Sequence, residues 1–273
     1  MACNPVSLIF DRYGSATAPG GPPAVVLLHG FLGSARNLTT LARRWAALEP
    51  TRAFVAIDLP GHGRSPALAE GATLETLARA VLALAAEVLG AAPLALVGHS
   101  LGGRVALAAL GAAPERIVEA CLLDIAPGPV AHERGLTART LALLATAPSE
   151  PPTREAVRAH LLGGGLPTAI VEWLLMNLVA DAAGGLRWRI DRARLREAWP
   201  QLSAEDLWPV VARYPSQLRA VRGGASDFVS EADCARWVSL GAPPIETLRA
   251  AGHFLHVDAP AALLDCLRSP RAG

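Results

Sequence analysis

The chain has 273 residues, of which 52% are hydrophobic and 18% charged, with 25 basic and 24 acidic residues for a net charge of +1. That composition is too apolar for a disordered chain, and its balanced charge supplies no field to draw nucleic acid or anionic lipid, so neither is an expected partner. Cys3, Cys121, Cys234 and Cys266 lie far apart with no C-x-x-C pair, which argues against a zinc cage or disulfide scaffold and points to a reducing cytoplasm. The start MACNPVSLIFDR lacks the basic and long apolar parts of a signal peptide, and His29, Glu87 or Pro93 interrupts the apolar runs, so neither export nor a membrane span is expected.

In chain order, Val6–Phe10 reads as an edge strand, followed by short apolar runs with strand character at Ala24–Leu28, Ala53–Ile57, Leu94–Val97, Val118–Leu123, Gln217–Val221 and Ile245–Leu248. Helical spacing of apolar residues separates them at Leu38–Leu48, Leu74–Leu89, Leu101–Ala113 and Ala232–Leu240. Strands alternating with helices predict an α/β fold with a parallel sheet. Three successive helical patterns, Thr137–Ala147, Thr153–Leu162 and Thr168–Ala180, interrupt the alternation with no strand between them, and Gly184–Trp188 has the alternation of an extended segment. The expected organisation is a core of residues 1–127 and 215–273 with a helical cap of residues 128–214 inserted in it.

Gly98-His99-Ser100-Leu101-Gly102 follows a predicted strand and precedes a predicted helix. In that setting a tight turn lifts the serine out of the sheet as a nucleophile, and the helix start at Leu101 offers a backbone N–H to a developing oxyanion. His29-Gly30-Phe31, after another strand, supplies a second donor in the Phe31 N–H, with His29 pinning the turn rather than moving protons. His253, in AGHFLH after the last strand, is the expected general base, because a loop there can return an imidazole over the strand ends; His256 is the alternative if the loop register differs. His62, His99, His132 and His160 read as ordinary turn, core or surface residues. Two aspartates end adjacent predicted strands, Asp124 in LLDIAP and Asp227 in GGASDFVS, and either could orient the imidazole. Trp173, Leu174, Leu175 and Met176 form an apolar stretch of the cap, of which Trp173 and Met176, with Phe31, are expected to contact substrate. No metal or cofactor is called for.

With LLHGFLGS, DLPGHGRS, GHSLGGRVAL and AGHFLH in this order, the chain resembles the α/β-hydrolase superfamily over nearly its whole length. The resemblance implies a mostly parallel central sheet of about seven to eight strands flanked by helices. It also implies Ser100 as nucleophile, His253 as base and an acid in the GGASDFVS loop, where the usual position falls on Ser226 and Asp227 stands one place late. DIAP, LLMNLV, GLRWRID and GGASDFVS are similar to small bacterial cytoplasmic esterases related to mitochondrial abhydrolase-domain proteins, in which the earlier aspartate serves as acid. That similarity favours Asp124, with Ser226 as an auxiliary hydrogen-bonding group and Asp227 as the alternative acid. The implied activity is a serine carboxylesterase acting on short- or medium-chain acyl esters or thioesters of small molecules, without a cofactor; monomer and homo-oligomer stay equally open. LHGFLGS, DLPGHGRS and SLGGRVAL are also similar to the menaquinone-pathway synthase that makes 2-succinyl-6-hydroxy-2,4-cyclohexadiene-1-carboxylate. Such a lyase would need Arg36, Arg104 or the cluster Arg187, Arg189, Arg192, Arg194 and Arg196 to hold an anionic substrate. A non-catalytic ligand-binding relative is the third reading.

Overall fold

The computed structural model describes residues 8–15, 20–130, 135–182 and 184–269; Cys3, Val6, Ser7 and His132 lie outside them. Strands β1 (Phe10–Gly14), β2 (Ala24–Leu28), β3 (Ala53–Ile57), β4 (Leu94–His99), β5 (Ile117–Leu123), β8 (Leu218–Gly223) and β9 (Glu246–Leu248) form one seven-stranded sheet in the order β1-β3-β2-β4-β5-β8-β9. Every pairing in it is parallel except β1 with β3. All five residues of β2 are buried, and they alternate between the sheet's two faces: Ala24, Val26 and Leu28 join one apolar core, Val25 and Leu27 the other. Burial on both faces explains why the strand reads as an unbroken apolar run. Helices α1 (Thr39–Leu48), α2 (Leu74–Leu89), α3 (Leu101–Ala112), α9 (Glu231–Ser239), α10 (Leu255–Asp258) and α11 (Pro260–Arg268) flank the sheet. Among the described residues no helix is long and apolar enough to cross a membrane.

Between β5 and β8 the chain forms α4 (Gly135–Thr146), α5 (Arg154–Gly163), α6 (Thr168–Leu175), the hairpin β6 (Leu178–Ala180) with β7 (Leu186–Trp188), α7 (Arg192–Ala204) and α8 (Trp208–Arg213). Two expectations are corrected here. The helix over Thr168–Ala180 stops at Leu175, because the β-strand Leu178–Ala180 is drawn into antiparallel pairing with the expected extended segment at Leu186–Trp188. Among the described residues the first strand is Phe10–Gly14, and Leu8 and Ile9 of the expected Val6–Phe10 lie before it: the backbone of FDRYG pairs with the whole of β3, while Ile9 is held by Ser65 Oγ and the Asp58 N–H. Helices α7 and α11 were not anticipated. An internal Pro200 breaks the helical signal of the first, and the second opens on Pro260.

Candidate active site

Ser100 sits at the turn from β4 to α3 with φ 52° and ψ −116°, a conformation that costs a non-glycine residue on the order of 1–3 kcal/mol. The glycines on either side make the turn possible: a Cβ on Gly98 would lie 2.1 Å from the Gly102 carbonyl oxygen, and one on Gly102 2.3 Å from that of Leu28. Beside it, β5 ends at Leu123, whose carbonyl accepts from the Ser100 N–H at 3.0 Å, and Asp124 follows with φ 52°. Asp124 is fully buried. Its Oδ1 accepts from the Gly223 N–H at 2.8 Å; its Oδ2 accepts from Ser226 Oγ at 2.5 Å and from His253 Nδ1 at 2.7 Å. A carboxylate can only accept, so this contact puts the proton on Nδ1 and leaves Nε2 with a lone pair. Phe228 stacks on the His253 ring, with centroids 3.8 Å apart, and His99 Nε2 donates to the His253 carbonyl at 2.7 Å.

Ser100, His253, Phe31 and Leu101 line one cavity of about 90 Å³, together with Ile125, Thr140, Trp173, Trp199, Phe228 and Phe254 among others. Ser100 and His253 share it without a direct hydrogen bond, an arrangement common before substrate draws such a pair together. Among the described residues neither the Phe31 nor the Leu101 N–H has a hydrogen-bond acceptor. The reason lies in the local folding of the 29–33 turn. The Gly30 carbonyl, in the same peptide plane as the Phe31 N–H, accepts from the Gly33 N–H at 3.0 Å and from His29 Nδ1 at 2.8 Å, so the amide hydrogen must point the opposite way. His29 Nε2 in turn accepts from the Leu59 N–H at 2.9 Å, which matches its expected role as a pin.

Several expected residues are placed elsewhere. Asp227 is exposed and does not touch His253; nor does it cap the next helix, which Ser230 does. Met176 lies outside the cavity lining and is 39% exposed, because it falls at the end of α6, whose buried face is Val171, Leu174 and Leu175. Of the arginines named for an anionic substrate, only Arg104 lines the cavity, and its guanidinium donates to the main-chain carbonyls of Gly128, Leu202 and Glu205 at 2.6, 3.3 and 2.5 Å. His256 is buried and does not reach Asp124; its ring meets that of His99 edge-on at 4.9 Å. His99, Phe228 and Trp199 escaped sequence reasoning. Position 99, inside the G-x-S-x-G run, offered the one available signal, an imidazole within reach of the loop that carries His253.

Residues 25–265 match the alpha/beta hydrolase family. The chain belongs to that family. Its curated relatives include the mouse sn-1-specific diacylglycerol lipase ABHD11, 28% identical over 254 residues, covering 90% of this chain and 80% of the relative. Lipase LipV of Mycobacterium tuberculosis is 30% identical, covering 83% of this chain and 82% of its own, and Esterase YbfF of Escherichia coli is 27% identical, covering 89% and 91%. A solved marine microorganism esterase superposes with a TM-score of 0.81 at 22% identity, covering 96% of this chain and 98% of its own, which shows the fold.

Within this hydrolase four histidines are buried. Burial pulls His62 down to about 3 and His256 to about 4, and lowers His29 and His99 as well. A base whose folded pKa lies below its unfolded value of 6.5 takes up a proton on unfolding, so its contribution to stability is complete above that pH and shrinks as the pH falls toward the folded value. Each such group removes about 1.4 kcal/mol per pH unit in that window. Urea midpoints are therefore expected to fall steeply between pH 6.5 and 4, with calorimetric proton uptake of more than one proton on unfolding at pH 5. A flat profile would mean that these imidazoles are charged in the native state.

Proposed function

We propose that the protein is a serine carboxylic-ester hydrolase that cleaves short- or medium-chain acyl esters or thioesters of small molecules through an acyl-enzyme, and that it works in the cytoplasm. The observation that carries this reading is the contact between His253 Nδ1 and Asp124 Oδ2 at 2.7 Å, which leaves the other ring nitrogen basic in the cavity that Ser100 lines. Ser100 Oγ attacks the acyl carbon and His253 Nε2 takes its proton. Asp124, steadied by Ser226, holds the ring and stabilises the imidazolium, and the N–H groups of Phe31 and Leu101 receive the oxyanion. The protonated imidazole then gives its proton to the leaving alcohol or thiol. Water activated by the same nitrogen splits the acyl-enzyme, returning Ser100 and releasing the acid. Segment 128–214 acts as the cap, a role supported by its Thr140, Trp173 and Trp199 lining the cavity. A space of about 90 Å³ walled by aromatic and aliphatic side chains suits a short acyl chain better than a long or charged one.

The test is a series of p-nitrophenyl esters of increasing acyl length, with a fluorophosphonate probe as a label for the nucleophile. Turnover that is highest on short chains, with labelling lost in Ser100→Ala, is the expected result. Silence on every ester, or labelling that survives Ser100→Ala, overturns the reading. The lyase reading gains no support from the cavity, since among the described residues its lining holds one arginine, already committed to carbonyls.

A further inference from the structure

We propose that Asn177 is a positioning residue for the oxyanion hole, through which the segment between β5 and β8 sets the geometry of the Phe31 donor. The inference rests on the preceding reading only in taking Phe31 N–H as that donor. Asn177 lies between α6 and β6 and is 2% exposed. Its Nδ2 donates to the Leu32 carbonyl at 2.8 Å, 145 residues away in sequence. Its own carbonyl accepts from the Arg189 N–H at 2.8 Å, which ties it to the β6–β7 hairpin.

Leu32 needs such a restraint. Its φ is 62°, the left-handed region that costs an ordinary L-residue about 1–2 kcal/mol. A leucine left to itself would relax and swing the peptide groups on either side. Its N–H is held by His62 Nε2 at 3.1 Å and its C=O by Asn177, so one contact comes from the core and the other from the inserted segment. The neighbouring Phe31 ring is clasped in the same way, stacking at 4.3 Å on Trp199 of α7 and meeting His62 edge-on at 5.9 Å. Two contacts from the inserted segment thus converge on consecutive residues of the turn that presents the donor. Asn177 donates to a carbonyl and so leaves the Phe31 N–H itself unoccupied.

A misdirected donor weakens transition-state binding while leaving ground-state binding nearly intact. Asn177→Ala and the near-isosteric Asn177→Asp, which lacks the donor, are therefore expected to lower kcat about 10–10²-fold with KM within about threefold. Inhibition by a trifluoromethyl ketone, which places an oxyanion in the hole, should weaken in parallel. Rates are referred to the concentration of sites titrated by fluorophosphonate, so a partly unfolded preparation does not mimic the effect. Independently of turnover, hydrogen exchange of the Leu32 amide should accelerate at least about tenfold in Asn177→Ala. Unchanged exchange at Leu32 overturns the inference even if the protein hydrolyses no ester. A rise in KM with kcat unchanged also overturns it, because Asn177 would then serve substrate binding. A wild type that is inactive on every ester, with Leu32 exchange still dependent on Asn177, would instead sink the esterase reading alone.

Discussion

Asp124→Asn is expected to lower kcat on an ester by about 10³–10⁴-fold without unfolding the protein. The carboxylate accepts three hydrogen bonds, from Gly223, Ser226 and His253. An amide oxygen can keep the Gly223 contact, but the amide group then turns its NH2 toward His253 Nδ1. The imidazole answers by placing its proton on Nε2, the nitrogen that has to accept from Ser100, so the base is removed while the packing stays. Asp227→Asn, at an exposed position away from the ring, should stay within about twofold of wild type. Steady-state kinetics on one good ester, beside circular dichroism of each variant, separates the two. Similar small losses in both variants would leave the Asp124 contact without a catalytic role.

The second large effect is one of stability. Arg104 ends the first turn of α3, is 1% exposed, and donates to carbonyls of Gly128, Leu202 and Glu205. Those carbonyls belong to the stretch that follows β5 and to the end of α7, so one side chain of the core ties together two separate parts of the segment between β5 and β8. Burial pulls this guanidinium down to about 10, with the carboxylates of Glu205 and Asp206 acting against that pull, so it stays charged at neutral pH. Arg104→Met fills much of the same volume but strands several buried acceptors, at an expected cost of about 3–5 kcal/mol. Urea denaturation measures it directly, and a loss under about 1 kcal/mol would mean that water reaches those carbonyls. Arg104→Lys should recover only a fraction, since an ammonium cannot span acceptors spread over two chain segments.

Much of the core was legible because its strands are buried on both faces. Ala24–Leu28, Ala53–Ile57 and the helix Leu74–Leu89 stand where apolar periodicity puts them. The inserted segment was harder. The helical spacing of Thr168–Ala180 continues past the point where pairing with Leu186–Trp188 wins, and a pairing partner outside the window leaves no mark on local periodicity. For Ser100 and His253, a dense local motif or a strand-end loop announced the candidate. For the acid, the chain offered two aspartates at the ends of neighbouring strands. Which of them meets the ring depends on how far the 249–253 loop reaches across β8, a matter of three-dimensional register. The roles of His99, Trp199 and Asn177 could not be read for a similar reason: their partners at His253, Phe31 and Leu32 lie 154, 168 and 145 positions away in the chain.

Leu32, Ser100 and Asp124 are the non-glycine residues with positive φ among the described residues, and all three belong to the candidate site. Glycine at any of these positions would relieve backbone tension. At Ser100 and Asp124 that relief would remove the proposed nucleophile or acid, and at Leu32 it would slacken the turn beside the proposed donor. Thermal hardening of this scaffold therefore has to be sought elsewhere, on surfaces such as the outer faces of α2 or α9, where rigidity and turnover do not compete.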